Sequence, residues 1–138
     1  MQMHYSMNMK KIWVALLALL AMGICAAEVP TLVGNWTGSG TGYFAEDESY
    51  KLSENGSVGY NITEQKGRLF TGNITYVLNG TKYVEGFAGA IGIDNKTLYL
   101  AEIGRGYDLG TIISDDEIEL MYIEDGESGW AAINKLHR

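Results

Sequence analysis

Leu32-Val33-Gly34-Asn35-Trp36-Thr37-Gly38 decides how the rest of this chain is read. A Trp two places past a Gly, in a short alternating run, suits the first strand of a β meander. The indole turns to one face while Asn35 and Thr37 turn to the other. On such a strand the Trp anchors the floor of a small barrel. It is a signal of fold and carries no chemistry of its own.

Upstream of it, residues 1–27 read as an export signal. Lys10 and Lys11 form the charged start, 12–25 is an apolar run, and Cys25, Ala26 and Ala27 are small residues ahead of Glu28. The run is shorter than the about 20 apolar residues that span a membrane. Cleavage after Ala27 leaves 28–138 as one domain, secreted or at the cell surface. The alternatives are an uncleaved anchor, or lipidation at Cys25, against which Ile24 stands just before the Cys. Cys25 is the only cysteine, so the expected domain has no disulfide and is held by its core and sheet. All seventeen carboxylates and eight of the ten Lys and Arg follow residue 27, a formal charge of −9 (8 less 17). Such a charge argues against nucleic acid and anionic membranes as partners, and it suits solubility.

Downstream, turn signals separate short alternating runs. Asn55-Gly56 and Asn79-Gly80 are the strongest, because Asn-Gly accepts the left-handed dihedrals of tight hairpins. The spacing predicts strands at 31–43, 49–54, 57–65, 68–78, 81–93, 97–103, 106–114, 117–124 and 129–136. In the first, Gly38, Gly40 and Gly42 are expected to bend the strand sharply or break it in two. Short turns make every neighbour antiparallel, and eight or nine strands do not rest as an open sheet with two bare edges. The expected fold is all-β, an antiparallel meander closed into an up-and-down barrel, with a sandwich as the alternative. Alternation supports it: Val58, Tyr60 and Ile62 share a face, as do Phe70, Ile74, Tyr76 and Leu78, and Ile118, Leu120 and Tyr122. In 81–93, Tyr83, Phe87, Ile91 and Ile93 oppose Gly86, Ala88, Ala90 and Gly92. Either face can be the inner one: small residues inside leave room for a ligand, and small residues outside form a flat face for a second subunit.

Gly34-x-Trp36 on the first strand, the meander throughout and a basic residue at the end of the last strand resemble the calycin barrels, among them lipocalins and avidins. In that group a basic side chain from the last strand lies over the first-strand Trp. The resemblance thus implies Lys135 or Arg138 over Trp36, where a cation on an indole face caps the barrel floor. Gly67-Arg68-Leu69-Phe70-Thr71-Gly72 is also similar to an avidin strand start. Avidin sites use several Trp on middle strands, however, and here Trp36 and Trp130 stand on the first and last, so biotin is not expected. Trp130 reads as a core aromatic or a second floor residue.

Little in the chain points to catalysis. His4 and His137 are the only histidines, so there are no parts for a Ser-His or Cys-His nucleophile or for a zinc site, and no cofactor or metal is expected. Most acids lie in turn clusters and read as solvated. Glu85 and Glu102 are isolated acids within strands; Glu85 reads as a polar anchor in a pocket and Glu102 as a surface acid. Asn35, Asn55, Asn61, Asn73, Asn79 and Asn95 each head an Asn-x-Ser/Thr sequon. They read as glycosylation sites of an exported protein, although strand alternation and hairpin turns account for most of them equally well. The expected function is a non-enzymatic barrel holding a small, mostly apolar molecule, with Glu85, Tyr60, Tyr76, Phe87 and Tyr99 as candidate ligand-binding residues. The alternative is an envelope or extracellular interaction domain, with a packed barrel and an outer face that meets a protein, a glycan or a second copy.

Overall fold

A computed structural model describes residues 28–52, 57–78, 80–126 and 129–138. The export signal read at 1–27 and the sequon residues Asn55 and Asn79 lie outside the described residues. Nine strands follow in chain order: β1 (Gly34–Phe44), β2 (Ser49–Leu52), β3 (Val58–Lys66), β4 (Leu69–Leu78), β5 (Thr81–Ile91), β6 (Thr97–Glu102), β7 (Tyr107–Ser114), β8 (Glu117–Glu124) and β9 (Trp130–His137). They match the ranges expected from alternation to within a few residues, and no helix occurs among the described residues.

The strands pair antiparallel in the ring β1-β3-β4-β5-β6-β7-β8-β9, and β9 returns to β1 from Thr37↔His137 to Phe44↔Trp130. Eight strands therefore close an up-and-down barrel and satisfy one another's backbone groups around the ring. The ninth, β2, is an extra strand on the edge of β1. It pairs with residues 41–44, beyond the stretch 34–38 that β3 occupies.

Three expectations are corrected at this level. Of the two outcomes expected at its glycines, the break does not occur: β1 runs unbroken from Gly34 to Phe44 and changes partner. Those glycines also serve a close approach. A Cβ on Gly38 would collide with the Lys135 carbonyl oxygen, and one on Gly40 with the Asn134 side chain. Next, β5 stops at Ile91, because the Asp94 carboxylate folds the chain into a turn by accepting the Lys96 and Thr97 amides at 3.0 and 2.9 Å. Ile93 consequently stands outside the barrel rather than sharing the face of Phe87. Third, Lys135 does not cover Trp36. Leu136 is fully buried on β9, so period-two alternation turns Lys135 outward, where it pairs with Glu119 at 4.0 Å.

Arg138 takes that place. Its guanidinium lies 4.3 Å from the centre of the Trp36 ring, and its Nη2 donates to the Thr31 carbonyl at 2.7 Å. Trp36 is buried and donates its indole N–H to Leu32 O at 2.8 Å. A bulge between Ile62 and Glu64 re-aims β3 so that Gln65 reaches the same end. Gln65 accepts from Leu32 N at 2.8 Å and donates to Pro30 O at 2.9 Å. This lower half is filled by Trp36, Leu32, Ile62, Phe70, Phe87, Ile91, Leu98, Ile118 and Leu136. The aromatic face of β5 is thus the inner one, with Ala88 outside.

The outer surface is two-sided. On β1, β3 and β4 it carries Asn and Thr. Around β5 to β9 and onto β1 and β2, two adjacent cross-strand rows are almost wholly apolar. One runs Ala90, Tyr99, Leu109, Met121, Ile133, Thr41, Leu52; the other runs Ala88, Ala101, Tyr107, Ile123, Ala131, Tyr43, Tyr50. No charged residue interrupts either row.

Candidate functional site

The upper half of the barrel is open. A cavity of about 360 Å³ lies there, walled by Val58, Tyr60, Ile74, Tyr76, Glu102, Tyr122, Glu124, Ala132 and Asn134, with Phe44, Lys51, Leu52 and Trp130 at its rim. That volume is at the small end of ligand sites, equal to about twelve water molecules of bulk liquid. Tyr60 lines the cavity, and Phe87 packs edge-on against it at 5.8 Å. The aromatic rim is ordered by contact: Phe44 stacks on Trp130 at 4.8 Å with rings nearly parallel, and Trp130 meets Tyr122 at 4.9 Å.

Three tyrosines of the upper half are each tied to a carboxylate. Tyr60 donates to Asp108 Oδ1 at 3.2 Å, and Tyr76 to Glu85 Oε1 at 2.9 Å. The Tyr122 hydroxyl lies 2.9 Å from Glu124 Oε2 and 3.0 Å from the Arg105 carbonyl. Trp130 Nε1 also donates to Glu124 Oε2, at 3.0 Å. Burial together with the neighbouring carboxylate holds all three phenols protonated, well above the usual tyrosine range.

Cross-strand register builds this acid group. On β6, Leu98, Leu100 and Glu102 share the inner face, and Glu102 stands opposite Phe87 on β5. On β7, Asp108 stands between Leu100 and Tyr122 and is fully buried. Burial pushes the Glu102 carboxyl up to about 8, helped by the charges of Asp108 and Glu85. Asp108 is raised as well by burial, against the hydrogen bonds that favour its ionised form. Those hydrogen bonds come from the Tyr60 hydroxyl and from Glu102, which holds its proton. Among the described residues no group of three His, Cys, Asp or Glu is placed to hold a metal ion.

The residues expected from the sequence divide. Tyr60, Tyr76 and Glu85 come together in the upper half. Phe87 lies below, in the packed core. Tyr99 is corrected: Leu98 and Leu100 face inward, so Tyr99 faces outward and is half exposed, in the apolar rows. Glu102 is corrected in the other sense, since it faces inward rather than toward water. Trp130 is neither buried core nor floor; it stands at the rim. Asn35, Asn61 and Asn73 face outward, and Asn95 sits in the β5–β6 turn at φ 55°. Asp108, Tyr122, Glu124 and Asn134 were not among the expected site residues. The parity of β6 and β8 signals Glu102 and Glu124, whereas β9 carries apolar residues on both faces and does not single out Asn134. β7 hides Asp108, because Tyr107, Leu109 and Ile113 make its other face look like the buried one.

No family model matches this sequence, and no curated protein matches it. Among solved structures the chain is similar to a redesigned β-barrel. The TM-score is 0.54 at 13% identity, over 78% of this chain and 90% of that one. At that identity the likeness shows the fold alone.

Proposed function

We propose that this chain is a non-enzymatic barrel, secreted or held at the cell surface, that binds a small, mostly apolar molecule in the mouth cavity. The observation that carries this reading is the division of the interior: a packed lower half under an open, aromatic-walled upper half. Arg138 over Trp36 at the closed end supports a barrel of the calycin kind. Asp108 is sealed behind Tyr60 and serves to fix the wall, not to reach a substrate. Titration with N-phenyl-1-naphthylamine, an uncharged apolar fluorophore, tests the reading. Saturable binding to one site is expected, and it is lost when Ala132→Trp fills the cavity. A wild-type protein that gives no saturable signal overturns it.

The apolar rows outside favour a second reading, in which the same barrel joins another copy of itself. Small residues at Ala88, Ala90, Ala101 and Ala131 let two such faces come close. Sedimentation then gives a dimer for the wild type and a monomer for Met121→Lys with Tyr43→Lys; a monomeric wild type removes it.

A further inference from the structure

We propose that the ligand of the mouth cavity is an uncharged molecule with a hydroxyl group on a small apolar or aromatic body, and that Glu102 accepts the hydroxyl's hydrogen bond. This rests on the binding reading above and adds the ligand's polar group. Four side-chain donors of the cavity wall are already spent on the protein. Tyr60 donates to Asp108 Oδ1, Tyr76 to Glu85 Oε1 and Trp130 Nε1 to Glu124 Oε2. The Tyr122 hydroxyl has Glu124 Oε2 and the Arg105 carbonyl as acceptors. A hydroxyl carries one proton and two lone pairs, and an indole N–H only donates. With those protons committed, the three phenols can only accept from a guest. A guest carbonyl or ether oxygen finds no free hydrogen on these four side chains, and its burial there costs it water without return.

Glu102 reaches the same polarity by another route. It lines the cavity from the inner face of β6, while Asp108 on neighbouring β7 is fully buried behind the wall. The two carboxyls share a side-chain hydrogen bond, and a hydrogen bond between carboxyls needs a proton on one of them. Glu102 keeps it at neutral pH, because burial, with the charge of Asp108, raises its carboxyl to about 8. Its proton is directed to Asp108, and the oxygen left over is a carbonyl-like acceptor. Being uncharged, that acceptor calls for a neutral donor rather than a cation.

The other polar side chains do not reverse this balance. The Asn134 amide both donates and accepts, so it favours neither kind of guest. The Lys51 ammonium stays at the rim, 4.2 Å from the centre of the Phe44 ring. Phe44, stacked on Trp130, offers apolar faces for the body of the ligand.

Competition against N-phenyl-1-naphthylamine at neutral pH tests this, with the isomers 4-propylphenol and 4-ethylanisole as displacing probes. They are equal in atoms, and only the phenol donates. The phenol is expected to displace the fluorophore at a concentration at least about threefold lower, as one neutral hydrogen bond predicts. Glu102→Met removes the acceptor, and the preference collapses. Glu102→Gln keeps it, because the amide nitrogen can donate to Asp108 while the amide oxygen takes the place of the carbonyl. Should Glu102→Met not fold, Glu102→Gln decides, and a folded Glu102→Gln without the preference overturns the proposal. Equal displacement by the two isomers, or a preference unchanged in a folded Glu102→Met, overturns it as well and leaves the apolar-binding reading standing. Absence of fluorophore binding removes that reading, and this one with it.

Discussion

Trp36 holds the closed end through three kinds of contact: burial, an indole N–H on Leu32 O, and the Arg138 guanidinium on its face. Trp36→Ala should therefore cost about 3–5 kcal/mol of stability, the range for removing a buried aromatic. Arg138→Ala loses an exposed cation–π contact and one hydrogen bond and should cost about 1–2 kcal/mol. Denaturant unfolding measures both, and a Trp36→Ala protein with unchanged midpoint sinks the floor assignment. At Glu102 the sign of the pH effect follows from the raised carboxyl. An unfolded Glu ionises near 4.5, whereas the folded one keeps its proton to about 8. Between those values the unfolded state binds fewer protons, so stability falls as pH rises through that window and levels off above it. Asp108 adds a fall in the lower part of the window, starting from its ordinary 3.8. Thermal melts should show the decline, and Glu102→Gln should flatten its upper part. Asp108 and Glu85 on the neighbouring strands and Glu124 on β8 repel a charged Glu102, so the variant also removes that repulsion. A Glu102→Gln melt with the wild-type pH profile sinks the assignment.

Strand parity made most elements legible. β3 and β4 read correctly because each alternates between an apolar inner face and a largely polar outer one, and β8 because Ile118, Leu120 and Tyr122 oppose Glu117 and Glu119. β7 and β9 were legible as strands but not by face, since both of their faces carry apolar residues. A one-residue reading error on such a strand turns every side chain over, and Asp108 was overlooked for that reason. The sequons gain meaning from register. Asn35 stands opposite Asn61, and Asn61 opposite Asn73, forming one outward row on β1, β3 and β4. Neighbouring strands are about 5 Å apart, too close for two attached sugars side by side. Where these sequons are used, glycopeptide mapping of the protein from its own host should never find Asn61 modified together with Asn35 or Asn73 on one molecule. A doubly modified adjacent pair refutes the register.

For the whole molecule, closure was legible from the count of short antiparallel strands with no means of covering two edges. The filling of the interior was not. Whether Tyr60 stands above Phe87, and at the height of Asp108 on the opposite wall, depends on the stagger between strands as the sheet curls round. No single stretch of residues states that stagger. The floor could be read from Trp36 and a C-terminal cation because both partners have distinctive chemistry. The cavity could not, because its lining is spread over seven strands.

The β1–β9 seam has a further consequence, for how the molecule comes into being. Thr37 must find His137, and Phe44 must find Trp130, from nearly opposite ends of the folded segment. Hairpins such as β3–β4 and β7–β8 can form while the rest of the chain is still unordered. The seam cannot, and its loop-closure entropy is spent before any of its contacts are made. Before β9 docks, the chain is an open sheet with two bare edges and an uncovered Trp36. The long-range wall is then the last to form, and folding belongs with the slower, milliseconds-to-seconds class of β proteins.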